Sequence, residues 1–255
     1  MENEETEEGV EKLFYELASE SRLGILRELQ TRNFKMQELA RKLDLTDTEA
    51  FRQMQRLSEA ALIQKQPDGT YAITQYGKLI LHLARPMEFV HKNKECFLTR
   101  DIWRLPTEFI DRIGEISQAR IAKDMFDMFN GAQQAIAEAE KYVWIIGDKP
   151  IGAMNANVNK QVLSGVKFRL IFHESLLPLY KPVPEETRFV EKRMLETSIP
   201  ATLVCTEKEA GVSLLSIDGR ADYALLYGKD PQFLKWATDL FLHYWNQAKP
   251  CYLTK

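Results

Sequence analysis

Leu45-Thr46-Asp47-Thr48-Glu49-Ala50-Phe51-Arg52-Gln53-Met54-Gln55-Arg56-Leu57-Ser58-Glu59-Ala60-Ala61-Leu62-Ile63 is the stretch on which the reading of this 255-residue chain turns. Thr46 is a favoured helix N-cap and Glu49 stands three residues on, so the pair can satisfy the open amides of a first turn as a capping box. A helix therefore begins here. Along it Ala50, Met54, Leu57 and Ala61 fall on one stripe at spacings of four and three. That stripe faces a core and turns Thr48, Phe51, Arg52, Gln55 and Arg56 outward.

Outward from this helix the pattern stays helical on one side and becomes extended on the other. Val10, Leu13, Phe14 and Leu17, then Leu23, Ile25, Leu26 and Leu29, give two short helices that meet near Ser19 to Ser21. Met36, Leu39, Ala40 and Leu43 give another, ending at Asp44. After Leu62 come Ile63 to Gln66, the turn Pro67-Asp68-Gly69-Thr70, and Tyr71 to Thr74, which read as strand, turn, strand. Helices followed by a hairpin are the order of a winged helix-turn-helix. In that arrangement a helix can enter the DNA major groove, about 12 Å wide, while the hairpin tip reaches phosphates or the minor groove.

The residue types on the outward face fit that task. Arg52 and Arg56 lie one turn apart, where one can pair bidentately with guanine and the other clamp a phosphate, the assignment between them being open. Gln53 and Gln55 can read adenine or bridge water. Thr46 and Thr48 sit at the helix N-terminus, where phosphate is favoured. Phe51 either touches a thymine methyl or packs beneath the wing. Lys65, Gly69 and Tyr71 complete the candidate DNA contacts from the hairpin. Between Lys35 and Lys65, however, Lys35, Arg41, Lys42, Arg52, Arg56 and Lys65 barely outnumber Glu38, Asp44, Asp47, Glu49 and Glu59. A face so nearly neutral gains affinity by doubling, so a homodimer on two half-sites is expected. The alternative is a winged helix that binds a protein rather than DNA.

The segment Glu20-Ser21-Arg22-Leu23-Gly24-Ile25-Leu26 and the helix quoted first resemble the winged helices of the arsenic-regulator and multiple-antibiotic-resistance-regulator families. In those a small residue or Gly often stands where Ala61 does. From Gln75 to Cys96, Tyr76, Leu79, Ile80, Leu83, Met87 and Val90 make a helical stripe interrupted by Pro86. This is one kinked helix or two. The stripe either pairs with its copy in a dimer or packs against the rest of the chain.

Beyond Asp101 helix and strand alternate. An amphipathic helix from about Ala122 to Lys141 leads into a buried strand, Tyr142 to Gly147. Then follow a polar helix (Asn155 to Ser164), a strand (Val166 to Phe172), a charged helix near Glu185 to Glu196 and a strand (Ala201 to Cys205). Val212 to Ile217 and Tyr223 to Tyr227 flank Asp218-Gly219-Arg220 as a hairpin, and Pro231 to Gln247 closes as a helix. Parallel pairing in an α/β sandwich is expected. Ligands in such sheets sit beyond the carboxyl ends of the strands. Here that means Gly147-Asp148-Lys149, His173-Glu174 and Thr206-Glu207. Trp144 can stack a ring, Lys149, Arg169 and His173 can hold an anion, and Asp148 or Asp222 can accept hydrogen bonds. Trp144 serves equally well as core, and Arg169 as a local ion-pair partner.

The run Leu105-Pro106-x-x-Phe109-Ile110-x-x-Ile113-Gly114-Glu115-Ile116, the strand ending in Gly147, and Asp218-Gly219-Arg220 before Ala224-Leu225-Leu226 resemble the archaeal methanogenesis and filament regulator family. That family joins a winged helix to a conserved middle domain. The resemblance implies transcription control and a C-terminal sensor similar to one half of a phospholipase-D-like unit, as in TrmB-type regulators. Phospholipase-D chemistry itself needs a His with Lys two residues on, and His82, His91, His173 and His243 all lack it. No Gly-rich phosphate loop, metal-spaced His pair or Gly-x-Ser-x-Gly elbow occurs, so an enzyme is not expected and no cofactor is required.

Composition bounds the rest. A formal charge of -3 neither favours nor excludes nucleic acid, because a local face decides. Cys96, Cys205 and Cys251 have no chelating neighbours and read as free thiols. No apolar run is long enough to span a membrane, and the chain reads as cytoplasmic. The expected division is an acidic arm (1–9), the winged helix-turn-helix (10–78), connector helices (79–120) and the α/β sensor domain (121–255). The expected partners are double-stranded DNA, a second copy, and a small-molecule or protein effector.

Overall fold

A computed structural model describes residues 9–122, 124–147, 155–179, 189–218 and 225–251. The chain divides into two compact units, Met1–Met87 and Glu88–Lys255, one mostly helical and the other built on a sheet. Most of the acidic arm and the turn at Gly219-Arg220 lie outside the described residues.

In the first unit, α1 (Val10–Leu17) and α2 (Glu20–Leu29) are separated at Ser19, whose hydroxyl accepts from the Arg22 amide at 3.4 Å. Next comes α3 (Met36–Lys42), opened by the Lys35 amide donating to the Glu38 carboxylate at 2.9 Å. The helix α4 (Asp47–Glu59) opens with the capping box read from the sequence: the Glu49 amide donates to Thr46 Oγ1 at 3.2 Å, and the Thr46 amide to Glu49 Oε2 at 3.1 Å. Ala50, Met54 and Leu57 are buried on its inner face. Ala61 is not. It is exposed and lies beyond the helix end in the left-handed region, with φ of 56°. That reversal lets the Leu62 amide reach Leu57 O at 2.9 Å and the Ala61 amide reach Ser58 O at 3.0 Å. These are the two bonds of a Schellman motif, and they deliver Leu62 rather than Ala61 to the core.

The strands β1 (Ile63–Lys65) and β2 (Tyr71–Ile73) pair antiparallel, with Ile63 opposite Ile73. Gly69 turns between them at φ 81°, and Asp68 accepts from the Thr70 amide at 2.9 Å. Phe34 forms a bridge with Tyr71, adding a short third rung. Ile25, Leu26, Leu39, Met54, Leu57 and Leu62 form the centre of this unit. The helix α5 (Gln75–Lys92) is continuous through Pro86, and the division between units falls within it.

The second unit begins with α6 (Lys94–Thr99), a 3-10 turn (Ile102–Arg104), α7 (Thr107–Asp111) and a second 3-10 turn (Ile113–Ile116). Then follow β3 (Arg120–Ile121), α8 (Met125–Glu138), β4 (Tyr142–Gly147), α9 (Asn155–Leu163) and β5 (Lys167–His173), with a 3-10 segment at Glu174–Leu179. The chain continues through β6 (Val190–Leu195), β7 (Ala201–Thr206), β8 (Ala210–Leu214), β9 (Leu225–Gly228), α10 (Pro231–Gln247) and β10 (Lys249–Pro250). The eight strands form one sheet in the order β10-β6-β5-β4-β7-β8-β9-β3. Phe233, Trp236, Leu240 and Phe241 of α10 pack on one face with Ile146, Ile171, Leu203 and Val212. Ile136 of α8 and Val162 of α9 pack on the other, with Val143, Ile145, Phe168 and Leu170.

Two expectations are corrected here. Only β4, β5 and β6 pair parallel, while β7, β8, β9, β3 and β10 all join antiparallel. The charged helix near Glu185 to Glu196 is instead a strand over 190–195, residues 185–188 lying outside the description. Its charges suit a strand because alternate ones find partners on one face. Glu191 pairs with Arg169 at 3.3 Å, and the Arg193 guanidinium lies 4.4 Å from the Trp245 ring centroid.

Candidate nucleic-acid interface

The capped start of α4 fixes which way its side chains face. Thr48, Phe51, Arg52 and Gln55 stand exposed, Phe51 at 56%. Phe51 is therefore free rather than packed beneath the hairpin. Gln55 donates to Glu59 at 2.9 Å, one turn along the same face. Thr46 is spent on the cap, its hydroxyl donating to Glu49 Oε2 at 2.9 Å while accepting from the Glu49 amide. From the hairpin, Lys65 is exposed and Gly69 sits at the tip. Tyr71 is half-buried, exchanging backbone bonds of 2.7 and 3.2 Å with Phe34 and packing on the core.

The remaining two candidates on α4 turn toward α2 and α1. Gln53 Oε1 accepts from Arg22 Nη1 at 2.8 Å. Arg56 binds Glu16 through Nη2 at 2.5 Å and Nε at 3.2 Å, and its guanidinium lies 4.8 Å from the Tyr15 ring centroid. Arg22 holds Glu16 Oε2 at 2.9 Å and donates to the carbonyls of Glu16 and Tyr15 at 2.8 and 2.7 Å. The hydrogen bond from Arg56 holds the Glu16 carboxyl below the usual glutamate range, against burial and with help from the charges of Arg22 and Arg56. Nothing in the sequence pattern marks Tyr15 or Glu16, and Arg22 enters there only within the segment Glu20 to Leu26 that carries the winged-helix resemblance. A buried Arg is legible only as an oddity, and no spacing rule links Glu16 to a residue so far along the chain.

In the second unit, Trp144 and Arg169 are neighbours in the β4–β5 register. The Arg169 guanidinium lies between two indoles, 5.4 Å from Trp144 and 5.0 Å from Trp245, and pairs with Glu191. Trp144 in turn stacks on Phe241 at 4.9 Å. His173 stands at the end of β5, its Nδ1 2.8 Å from Ser175 Oγ. Asp148, Lys149 and Asp222 lie outside the described residues.

The three strand ends expected to share a ligand do not share a rim. Gly147 stands opposite Phe172 in parallel register, so the ends of β4 and β5 are together. Thr206, however, stands opposite Val143, at the start of β4. There the Glu207 carboxylate accepts from the amides of Glu140, Lys141 and Tyr142 at 2.8, 3.2 and 3.3 Å. Burial pushes its carboxyl up, and these backbone donors outweigh burial and leave it below the usual range. Among the described residues no group of three His, Cys, Asp or Glu side chains could hold a metal ion. Nor is any described helix long and apolar enough to cross a membrane.

Residues 151–247 match the middle domain of the methanogenesis regulatory protein FilR1. Residues 10–93 match the HVO_A0261 N-terminal domain. The FilR1 match ends at the last residue of α10, and the HVO_A0261 match runs from the first residue of α1 to just beyond α5. The resemblance to a methanogenesis regulator is thus met in the C-terminal part, and it supports a regulatory protein. No curated protein sequence matches the chain. Among solved structures it is similar to TrmBL2, an archaeal chromatin protein described with a novel mode of DNA binding. The identity is 16%, over 89% of this chain and 92% of that one, with a TM-score of 0.46. It is also similar to NucT from Helicobacter pylori, at 12% identity over 52% of this chain and 98% of that one, TM-score 0.38. For the phospholipase D family member Nuc from Salmonella typhimurium the values are 10%, 48%, 90% and 0.38. These likenesses are too distant to assign the fold.

Proposed function

We propose that the chain is a cytoplasmic transcription regulator that binds duplex DNA through α4. In this reading residues 10–78 form a winged helix-turn-helix, 79–120 connect, and 121–255 form a sensor domain that responds to a small-molecule or protein effector. The observation that carries the reading is the capped α4 with Thr48, Phe51, Arg52 and Gln55 exposed along one face, beside a hairpin that exposes Lys65. Arg52 is the residue assigned to guanine or phosphate, and Gln55 the adenine reader. The FilR1 match supports regulation as the context.

The same reading makes the protein a homodimer. Tyr76, Leu79, Leu83 and Met87 line one side of α5 at 45, 54, 57 and 60% exposure, and Val10 and Phe14 of α1 stand at 61 and 51%. Single exposed apolar residues are ordinary, but an ordered stripe marks a contact surface. For the effector, the joined ends of β4 and β5 at Gly147 and His173 are the place that parallel sheets use for ligands.

The test is a fluorescence-anisotropy titration of the whole chain with mixed-sequence duplex and with promoter fragments. Salt-dependent binding is expected, and Arg52→Ala is expected to weaken it by about tenfold or more. Binding that ignores both salt and Arg52 overturns the reading and favours a protein partner on the same helix.

A further inference from the structure

The cluster beside α4 contains two guanidinium groups, Arg22 and Arg56, around one carboxylate, Glu16. The two cations are held very differently. Arg22 has a side chain only 8% exposed and places its three nitrogens on Glu16, Tyr15 and Gln53. It is part of the framework. Arg56 is 37% exposed and borders the outward face of α4, with Arg52 one turn before it. It bonds to Glu16 through two nitrogens, with the exposed ring of Tyr15 against it.

This imbalance decides what Arg56 is able to do. When a buried carboxylate loses its sole partner, an uncompensated charge is left in a low dielectric, which is strongly destabilising. Glu16 avoids that fate because Arg22 stays with it. Releasing Arg56 therefore costs one ion pair whose cation is 37% exposed and does not leave the buried carboxylate unpaired. A backbone phosphate diester accepts the same planar fork that a carboxylate does and carries the same single negative charge.

We propose that Glu16 is an internal competitor for Arg56, which a DNA phosphate takes over when duplex docks on α4. The proposal rests on the nucleic-acid reading of α4 and deepens it. Free protein keeps Arg56 folded back on α1, and bound protein turns it outward. The carboxylate thereby lowers the affinity of the recognition face, and α1 becomes the element through which that affinity is set.

The experiment titrates labelled mixed-sequence duplex with the full chain and five variants: Glu16→Gln, Arg56→Gln, both together, Arg52→Ala, and Glu20→Gln as a control for loss of one nearby charge. Glu16→Gln is expected to bind up to about fivefold tighter than the control. Arg56→Gln, which leaves Glu16 paired with Arg22, is expected to bind more weakly than wild type although its side chain is engaged in the free protein. In the double variant the gain from Glu16→Gln should vanish. A Glu16→Gln chain no tighter than the control, a gain that persists without Arg56, or an Arg56→Gln chain of unchanged affinity overturns the competitor role. In those cases loss of binding in Arg52→Ala leaves the DNA reading standing. If neither wild type nor Glu16→Gln binds duplex, both readings fall together.

Discussion

Gly77 lies so close to the backbone of Leu62 that a methyl group on it would stand 2.2 Å from the Leu62 carbonyl oxygen. The first turn of α5 is seated on that carbonyl. The Thr74 amide donates to Leu62 O at 3.0 Å, and Thr74 Oγ1 donates to Ala61 O at 2.7 Å while accepting from the Gly77 amide at 2.9 Å.

Gly77→Ala should therefore destabilise the first unit by about 1–3 kcal/mol, because the obstacle is backbone and cannot swing aside. The shift of the urea midpoint at unchanged slope measures it. An unaltered midpoint would show that α5 can slide on its seat.

Ala61→Gly is expected to act in the opposite direction. Ala61 holds φ of 56° and is exposed, so its methyl contributes strain and no core packing. Relief of the left-handed cost outweighs the added freedom of the unfolded chain, for a gain of roughly 0.5–1 kcal/mol in thermal or chemical unfolding. A loss would mean that the methyl makes a contact of value.

Glu16 should govern the acid limb of stability. Its native carboxyl is held below the ordinary 4.5, first by the Arg56 hydrogen bond and against burial. A lowered native value means that the stabilisation is complete above the ordinary value and is lost as pH falls through the native one. Glu16→Gln should thus cost about 1–3 kcal/mol at neutral pH and show a flatter decline toward acid than wild type. Urea unfolding at a series of pH values reads both, and parallel acid limbs would contradict the assignment.

The α5 stripe gives a prediction about assembly. Leu79 and Leu83 are 54 and 57% exposed, so changing both to Glu removes little internal packing. The double variant should sediment as a monomer whose unfolding midpoint no longer depends on protein concentration, and should bind duplex at least about tenfold more weakly through loss of the second half-site. A wild-type chain that is monomeric at micromolar concentration would remove the basis for the dimer.

What could be read in advance depended on how local each cause was. The start of α4 was legible because Thr46 and Glu49 satisfy each other within one turn. Its end was misjudged at Ala61, since a stripe extrapolated at helical spacing cannot register a backbone reversal that hands the buried place to Leu62. Gln53 and Arg56 have the composition of base readers, and only the fold shows Arg22 and Glu16 beside them. The strand at Val190–Leu195 looked helical because its charged side chains find their partners on other elements, Glu191 in the Arg169 guanidinium and Arg193 in the Trp245 ring, not in neighbours along the chain. Strand direction was hardest: β7 runs opposite to β4, and nothing within either segment records that choice.

The reversal between β4 and β7 gives the sheet two margins that can age differently. One carries the connections that follow β4 and β5. The other is stitched by Glu207 to three successive amides, by Lys208 to the Glu138 carbonyl at 2.9 Å, and by Thr206 Oγ1 to Glu209 O at 3.1 Å. Insertions and deletions should accumulate at the first margin and be purged from the second. Relatives of this chain would then differ along one rim of a sheet whose other rim is sewn shut.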